Sequence, residues 1–173
     1  MKEQSKSFLL AAAVLVVGIG LVVVGILSWP SDDEEVIAGK LAKLADVIAV
    51  TGEENPVMRM ARLRNEFEEI FEEDVRVAIV EIGQSPRGRK QLAELGARGT
   101  VLYQSLTVSF TGQATTVDPA TKTARTNATA KVTGSRGAGE LRQDERDVRI
   151  DWSRASGDWL ITDVTVRPKE QDD

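Results

Sequence analysis

Residues 8–29, FLLAAAVLVVGIGLVVVGILSW, form one unbroken apolar run, and the rest of the chain alternates between apolar and polar positions. Twenty-two residues at helical rise reach about 33 Å, enough to cross the hydrocarbon core of a bilayer. Beyond the run, Val36, Ile37, Leu41, Leu44, Val47 and Ile48 recur at helical spacing. They predict a helix over about 34–50, opened by Ser31 and four acidic residues and stopped by Thr51-Gly52. Asn55-Pro56 starts a second helix, about 56–73, with Val57, Met60, Leu63, Phe67, Ile70 and Phe71 on one stripe. Arg62 to Glu66 and Arg64 to Glu68 are spaced to pair on its wet side. The β-branched run 75–82, VRVAIVEI, predicts a strand. Ser85-Pro86 predicts the start of a third helix, about 86–98, with Leu92 and Leu95 inward. From residue 100 the period becomes two. Leu106, Val108 and Phe110 alternate with Thr107, Ser109 and Thr111, and Asp118-Pro119-Ala120-Thr121 makes a turn. Strands over 125–133, 146–153 and 159–166 follow, separated by a Gly-rich loop at 134–144 and a turn at Ser156-Gly157-Asp158.

Helix, helix, strand, helix and then four antiparallel strands define an α+β class. Three helices pack on one face of a curved antiparallel sheet. About 144 residues lie beyond the apolar run, enough to bury roughly two-thirds of the unfolded surface. No internal repeat is present.

The apolar run is longer than a signal-peptide core and ends in Ser28-Trp29-Pro30 with no small-x-small cleavage site, so an uncleaved signal anchor is expected over a cleaved signal peptide. Lys2 and Lys6 precede the run and only acids follow it closely. The N-terminus is therefore expected in the cytoplasm and the domain across the membrane. Phe8 and Trp29 bound the span, Trp29 at the level of an aromatic belt. Ala11, Gly18 and Gly25 share a stripe on which helices approach closely. The predicted organisation is a cytoplasmic stub at 1–7, a transmembrane anchor at 8–29, a linker at 30–33, a folded domain at 34–168 and a disordered tail at 169–173.

Charge and composition narrow the chemistry. Residues 1–29 hold Lys2, Lys6 and Glu3, which leaves 20 basic and 26 acidic residues, net −6, in the remainder. An acidic domain does not suit nucleic acid, whose phosphates need a basic face. The chain has neither His nor Cys. Disulfides, thiolate nucleophiles and the Ser-His-Asp and Cys-His mechanisms are excluded, and no cofactor is expected. The acidic run Glu66, Glu68, Glu69, Glu72, Glu73, Asp74 does not match a calcium loop and is expected to be a solvated face. Arg87, Arg89 and Lys90 sit at the wrong helix end for cations. They are expected as surface charge or as partners of an acidic neighbour. Asn127-Ala128-Thr129 has the form of a glycosylation acceptor.

The closing segment Gly157-Asp158-Trp159-Leu160-Ile161-Thr162-Asp163-Val164 is a Gly-Asp turn with a Trp-led last strand. With the long hairpin at 105–133, it resembles the nuclear transport factor 2-like superfamily, the cystatin-like α+β cone. The resemblance covers about 34–168. It implies a fold that hosts isomerases, dehydratases and polyketide cyclases with Asp or His in the cone's pocket. It also hosts membrane-tethered accessory proteins such as type IV secretion assembly subunits and Mce-associated proteins. No His exists here to carry over, so a member tethered in a bacterial inner membrane is expected. Such a member binds envelope proteins or its own copy and catalyses nothing. The alternative is a small-molecule binder or enzyme using the cone. In that case Tyr103, Phe110, Trp152, Trp159 and Asp163 line the pocket, and Asp163 acts as the base by sharing strand parity with Trp159 and Ile161.

Overall fold

The computed structural model describes residues 32–169 apart from 53, 84 and 137–140. The anchor expected at 8–29, with Phe8, Ala11, Gly18, Gly25 and Trp29, lies outside the described residues. Among the described residues no helix is long and apolar enough to cross a membrane.

Helix α1 (Asp32–Ile48) and helix α2 (Pro56–Glu68) come first, then strand β1 (Phe71–Ile79), a 3-10 turn (Val80–Ile82) and helix α3 (Arg89–Leu102). Strands β2 (Ser105–Asp118), β3 (Thr123–Ser135), β4 (Arg142–Ser153) and β5 (Leu160–Pro168) complete the domain. In α1 the buried residues Ile37, Leu41, Leu44 and Val47 recur at helical spacing. In α2 the Asn55 side chain accepts from the backbone N–H of Val57 at 2.8 Å, and Pro56 occupies the first turn.

The predicted second helix extends to residue 73, but α2 ends at Glu68. Ile70 and Phe71 stay buried, as expected of the apolar stripe, yet they serve the sheet: the Ile70 carbonyl accepts from Ile161 N–H at 2.9 Å. Long-range pairing overrides a local helical pattern here. The third helix also starts later than its Ser-Pro signal suggests. Residues 86–88 lie along the free side of β1 instead, with Val77 N–H donating to the Pro86 carbonyl at 3.0 Å and Gly88 N–H to the Val75 carbonyl at 2.7 Å.

The sheet order is β1-β5-β4-β3-β2. The last three pairings are antiparallel, but β1 runs parallel to β5, so the predicted wholly antiparallel sheet is mixed. The chain returns to β1 only after α3 and the β2–β4 meander. That return brings β5 in along the same direction as β1. Register shifts interrupt three ladders, one on β2 between Thr111 and Ala114, one between Asp151/Trp152 of β4 and β5, and one between Phe71/Arg76 of β1 and β5. Gly112 at the first has φ of +61°, a conformation that favours glycine.

The core lies between the helices and one face of the sheet. Phe67 and Phe71 meet edge-to-face with centroids 5.0 Å apart. Around them pack Ile37, Leu41, Leu63, Ile70, Ile150, Trp152 and Ile161. Helix α3 turns Leu92 toward the core, where it is half-buried, but does not turn Leu95 inward as predicted. Leu95 is exposed, and Ala93 and Ala97 are the buried residues. A Cβ on Gly96 would sit 2.8 Å from Leu63 Cδ1, so α2 and α3 approach too closely for a larger face.

Arg59 is a buried cation that the apolar pattern did not reveal, only 1% exposed. Its guanidinium donates to the carbonyls of Ile48 (2.8 Å), Ala49 (2.8 Å) and Gly96 (3.0 Å) and to Glu54 Oε2 (3.1 Å). It thereby caps the C-terminus of α1 and ties α1 to α3. Arg62 does not follow the helix-spaced pairing with Glu66. It grips Glu54 with two bonds of 2.8 Å. These bonds to Arg62, reinforced by Arg59, hold the Glu54 carboxyl down to about 2 from 4.5.

Candidate functional site

The five residues expected to line one pocket are divided among three places. Trp152 and Trp159 are core residues, 1% and 3% exposed. The indole N–H of Trp152 donates to Thr126 Oγ1 at 3.1 Å, and that of Trp159 donates to Asp33 Oδ1 at 2.9 Å. Phe110 is half-buried and packs against the same core from β2.

Asp163 faces the other way. Its ladder partners are Asp151 on β4 and Arg76 on β1, whereas Ile161 pairs with Trp152. Thr162 is thus an extra residue on β5, and one extra residue reverses every side chain beyond it. Asp163 therefore stands on the outer face, 3.1 Å from Arg76 Nε. Asp151 beside it bonds Arg125 at 2.6 Å and Arg149 at 3.1 Å. This row of ion pairs leaves neither carboxylate as a base in an apolar pocket.

Tyr103 lines an open cavity. It caps α3, with its N–H on the Gly99 carbonyl at 2.8 Å, and the next residue, Gln104, donates to the Ser135 carbonyl at 2.9 Å. The cavity holds about 420 Å³ and is lined by Tyr103, Leu106, Val132, Gly134, Arg136, Arg142 and Asp144. Leu106, Val132 and Asp144 belong to the inward parity of β2, β3 and β4, so the cavity lies on the concave face. Gly134 makes the close fit possible. A Cβ there would meet the Ser105 carbonyl at 3.0 Å and Tyr103 Cδ1 at 3.3 Å.

Two guanidiniums give this cavity its character. Arg136 lies 5.1 Å from the Tyr103 ring centroid, and its Nη2 donates to the phenol oxygen at 3.3 Å. Neither Arg136 nor Arg142 has an ion pair among the described residues. Asp144 is taken by Arg146 at 2.7 Å, and Arg146 also holds Glu81 at 2.9 Å. The rim is thus positive in a domain that is acidic as a whole. Tyr103 is the member of the expected pocket set that lines this cavity. Sequence reasoning missed Arg136 and Arg142, whose signal was their place within the Gly-rich loop expected at 134–144.

Two grooves account for other residues marked in the sequence. One of about 510 Å³ is lined by Arg64, Glu68, Glu73, Arg89 and Lys90, so the acidic run and the basic turn of α3 share a mixed-charge surface. Arg87 meets an acidic neighbour, Asp74, at 3.1 Å. The other, about 300 Å³, lies on the outer face against Asn127, Thr129, Asp147, Arg149 and Arg167. Among the described residues no cluster of acids could hold a metal ion.

Helices packed on the concave face of a bulged five-stranded sheet, with a cavity where long strands outrun the helices, define an α+β cone. Solved structures identify the cone as the nuclear transport factor 2-like, cystatin-like fold. A nuclear transport factor 2-like protein of cystatin-like fold from Novosphingobium aromaticivorans matches with a TM-score of 0.61 at 15% identity, over 91% of this chain and 90% of its own. A candidate aromatic ring hydroxylase from the same organism matches with a TM-score of 0.65 at 16% identity, over 83% and 94%. An uncharacterised cystatin-like protein from Caulobacter vibrioides matches with a TM-score of 0.60 at 14% identity, over 82% and 93%. No family profile and no curated protein matches the sequence. At these identities the likeness carries the fold and no activity.

Proposed function

We propose that the chain is a single-pass, membrane-anchored, non-catalytic protein of a bacterial envelope whose outer domain binds partner proteins or its own copy. The observation that carries this reading is how the expected pocket residues are used. Phe67, Phe71, Trp152 and Trp159 occupy the interior at 5% exposure or less, and Asp151 and Asp163 are tied into ion pairs on the opposite face. A general base needs a carboxylate beside substrate in a shielded pocket. These carboxylates are not so placed. The apolar run at 8–29 supplies the anchor, and the positive flank before it sets the orientation.

The test has two arms. In the first, the full chain is expressed in a bacterium and membranes are washed with carbonate. The chain is expected to stay in the membrane pellet and to be cut by protease added from the periplasmic side. Release by carbonate would overturn the anchor. In the second, crosslinking in intact cells is expected to join the domain to envelope proteins or to itself. A domain that stays uncrosslinked would overturn the interaction role.

A second reading has its own observation, the 420 Å³ cavity with Arg136 and Arg142 at its rim. It would take a small anion with an apolar body, the guanidiniums gripping the charge and Tyr103, Leu106 and Val132 the body. Titration of the chain with benzoate and octanoate tests this. Saturable heat that disappears in Arg136→Ala favours the small-molecule reading over the protein-binding one.

A further inference from the structure

The two edges of the sheet are treated differently. At the β1 edge, residues 86–88 lie alongside the strand, and β1 carries Glu72, Glu73, Asp74 and Arg76. Charge and cover are the usual means by which an edge is kept from pairing. Among the described residues, the β2 edge over 107–117 has neither charge nor a covering segment. Val50 pairs with Leu106 there, through N–H to carbonyl bonds of 2.8 and 2.9 Å. Beyond Leu106, no described segment pairs with that side of β2. Alternate residues of a strand direct their N–H and C=O to the same edge, so Val108 and Phe110 follow Leu106. Within that stretch the side-chain amide of Gln113 donates to the Phe110 carbonyl at 3.2 Å. Residues 99–117 contain no Asp, Glu, Lys or Arg, the longest such run after residue 29. Val, Thr and Phe dominate the strand, and these residues favour extended pairing.

We infer that β2 is a self-association edge, at which the segment 107–117 of one copy pairs antiparallel with the same segment of a second copy across a two-fold axis. Charge selects the occupant. The domain beyond residue 29 carries a net −6, so two copies repel over most of their surfaces. The neutral strip along β2 is where they meet without like charges facing each other. The two-fold relation lays each residue against another from the same uncharged set. The bulge at Gly112 divides the edge into two short stretches, so the joined area is small and the pairing weak in dilute solution. Anchoring two copies in one membrane raises their effective concentration. That last step rests on the proposed anchor, whereas the pairing itself does not.

The chain has no native cysteine, so single cysteines report proximity cleanly. Thr107→Cys, Ser109→Cys and Thr111→Cys lie on the outer face of the edge, and Asn127→Cys lies on the same face in the middle of the sheet. The full chain carrying each variant is oxidised in lipid vesicles, in detergent and in native membranes, then separated on non-reducing gels. Disulfide dimers are expected at one or two neighbouring β2 positions and not at Asn127. Adding lysines at the two remaining β2 positions is expected to cut the dimer by about tenfold or more, by like-charge repulsion. No dimer at any β2 position overturns the inference. So does a dimer at Asn127 of equal yield, which marks face-to-face stacking, or an adduct of another mass in native membranes, which marks a foreign strand. Absence of the chain from the membrane pellet counts against the anchor alone, because the dimer is read in detergent as well.

Discussion

Replacing Arg59 with Met gives the sharpest test of how the helices are held on the sheet. Met keeps most of the side-chain length and apolar contact and removes the five donors. Three carbonyls, of Ile48, Ala49 and Gly96, then lose their partner in a place that is 1% exposed, and Glu54 keeps only Arg62. Breaking a buried, charge-assisted network of this kind costs about 3–5 kcal/mol. A domain of this size holds about 5–15 kcal/mol in all. The midpoint should fall by about 10–20 °C. The assay is thermal unfolding followed by far-ultraviolet circular dichroism. Arg64→Met serves as control, because Arg64 is exposed on the same helix and is expected to change stability by less than about 0.5 kcal/mol. Equal midpoints for Arg59→Met and Arg64→Met would refute the claim that the guanidinium locks α1 to α3.

Glu54 makes stability depend on pH. Its carboxyl is held down to about 2 from 4.5, chiefly by Arg62, so its contribution is complete above about pH 5 and is lost as pH falls from 4.5 toward 2. Allowing for a side chain a quarter exposed to solvent, the loss is about 2 kcal/mol, and urea titrations of wild type and Glu54→Gln at pH 7 and pH 3 should converge at the lower pH. Asp163→Asn removes a surface pair with Arg76. It should change the unfolding free energy by less than about 1 kcal/mol and leave tryptophan fluorescence unaltered, whereas a spectral shift would return the residue to the interior. Asp33→Ala strips the acceptor shared by the Trp159 indole (2.9 Å) and Arg154 (2.7 Å). A loss of about 1–2 kcal/mol by chemical denaturation is expected. Gly134→Ala forces a Cβ against the Ser105 carbonyl, with about 1–3 kcal/mol expected, and intact stability there would mean that β2 and β3 yield easily.

Local signals were read correctly where local chemistry decides. Asn55-Pro56 started α2 because a side-chain cap and a fixed φ act over two residues. Asp118 closed its turn by accepting from the N–H groups of Ala120 and Thr121. The inward set of β2, Leu106, Val108 and Phe110, followed from period two. Errors arose where a distant segment outbid the local pattern. Ile70 and Phe71 left the helix for the sheet because β5 offered a ladder partner. Leu95 stayed exposed because Leu63 left room only for Ala93, Gly96 and Ala97.

The sequence by itself determined the α+β class, the cone-like order of elements, the acidic surface and the absence of thiol and imidazole chemistry. Each of these depends on residue type and spacing within a few turns of chain. Only the tertiary structure decided which way Asp163 points, because a single bulged residue, Thr162, reverses the strand's parity. Only the tertiary structure set Arg136 and Arg142 around Tyr103, buried Arg59 among three carbonyls and left the edge of β2 past Leu106 without a paired segment among the described residues. Those outcomes rest on pairings between segments far apart in sequence, and a one-residue slip in any ladder would have changed them.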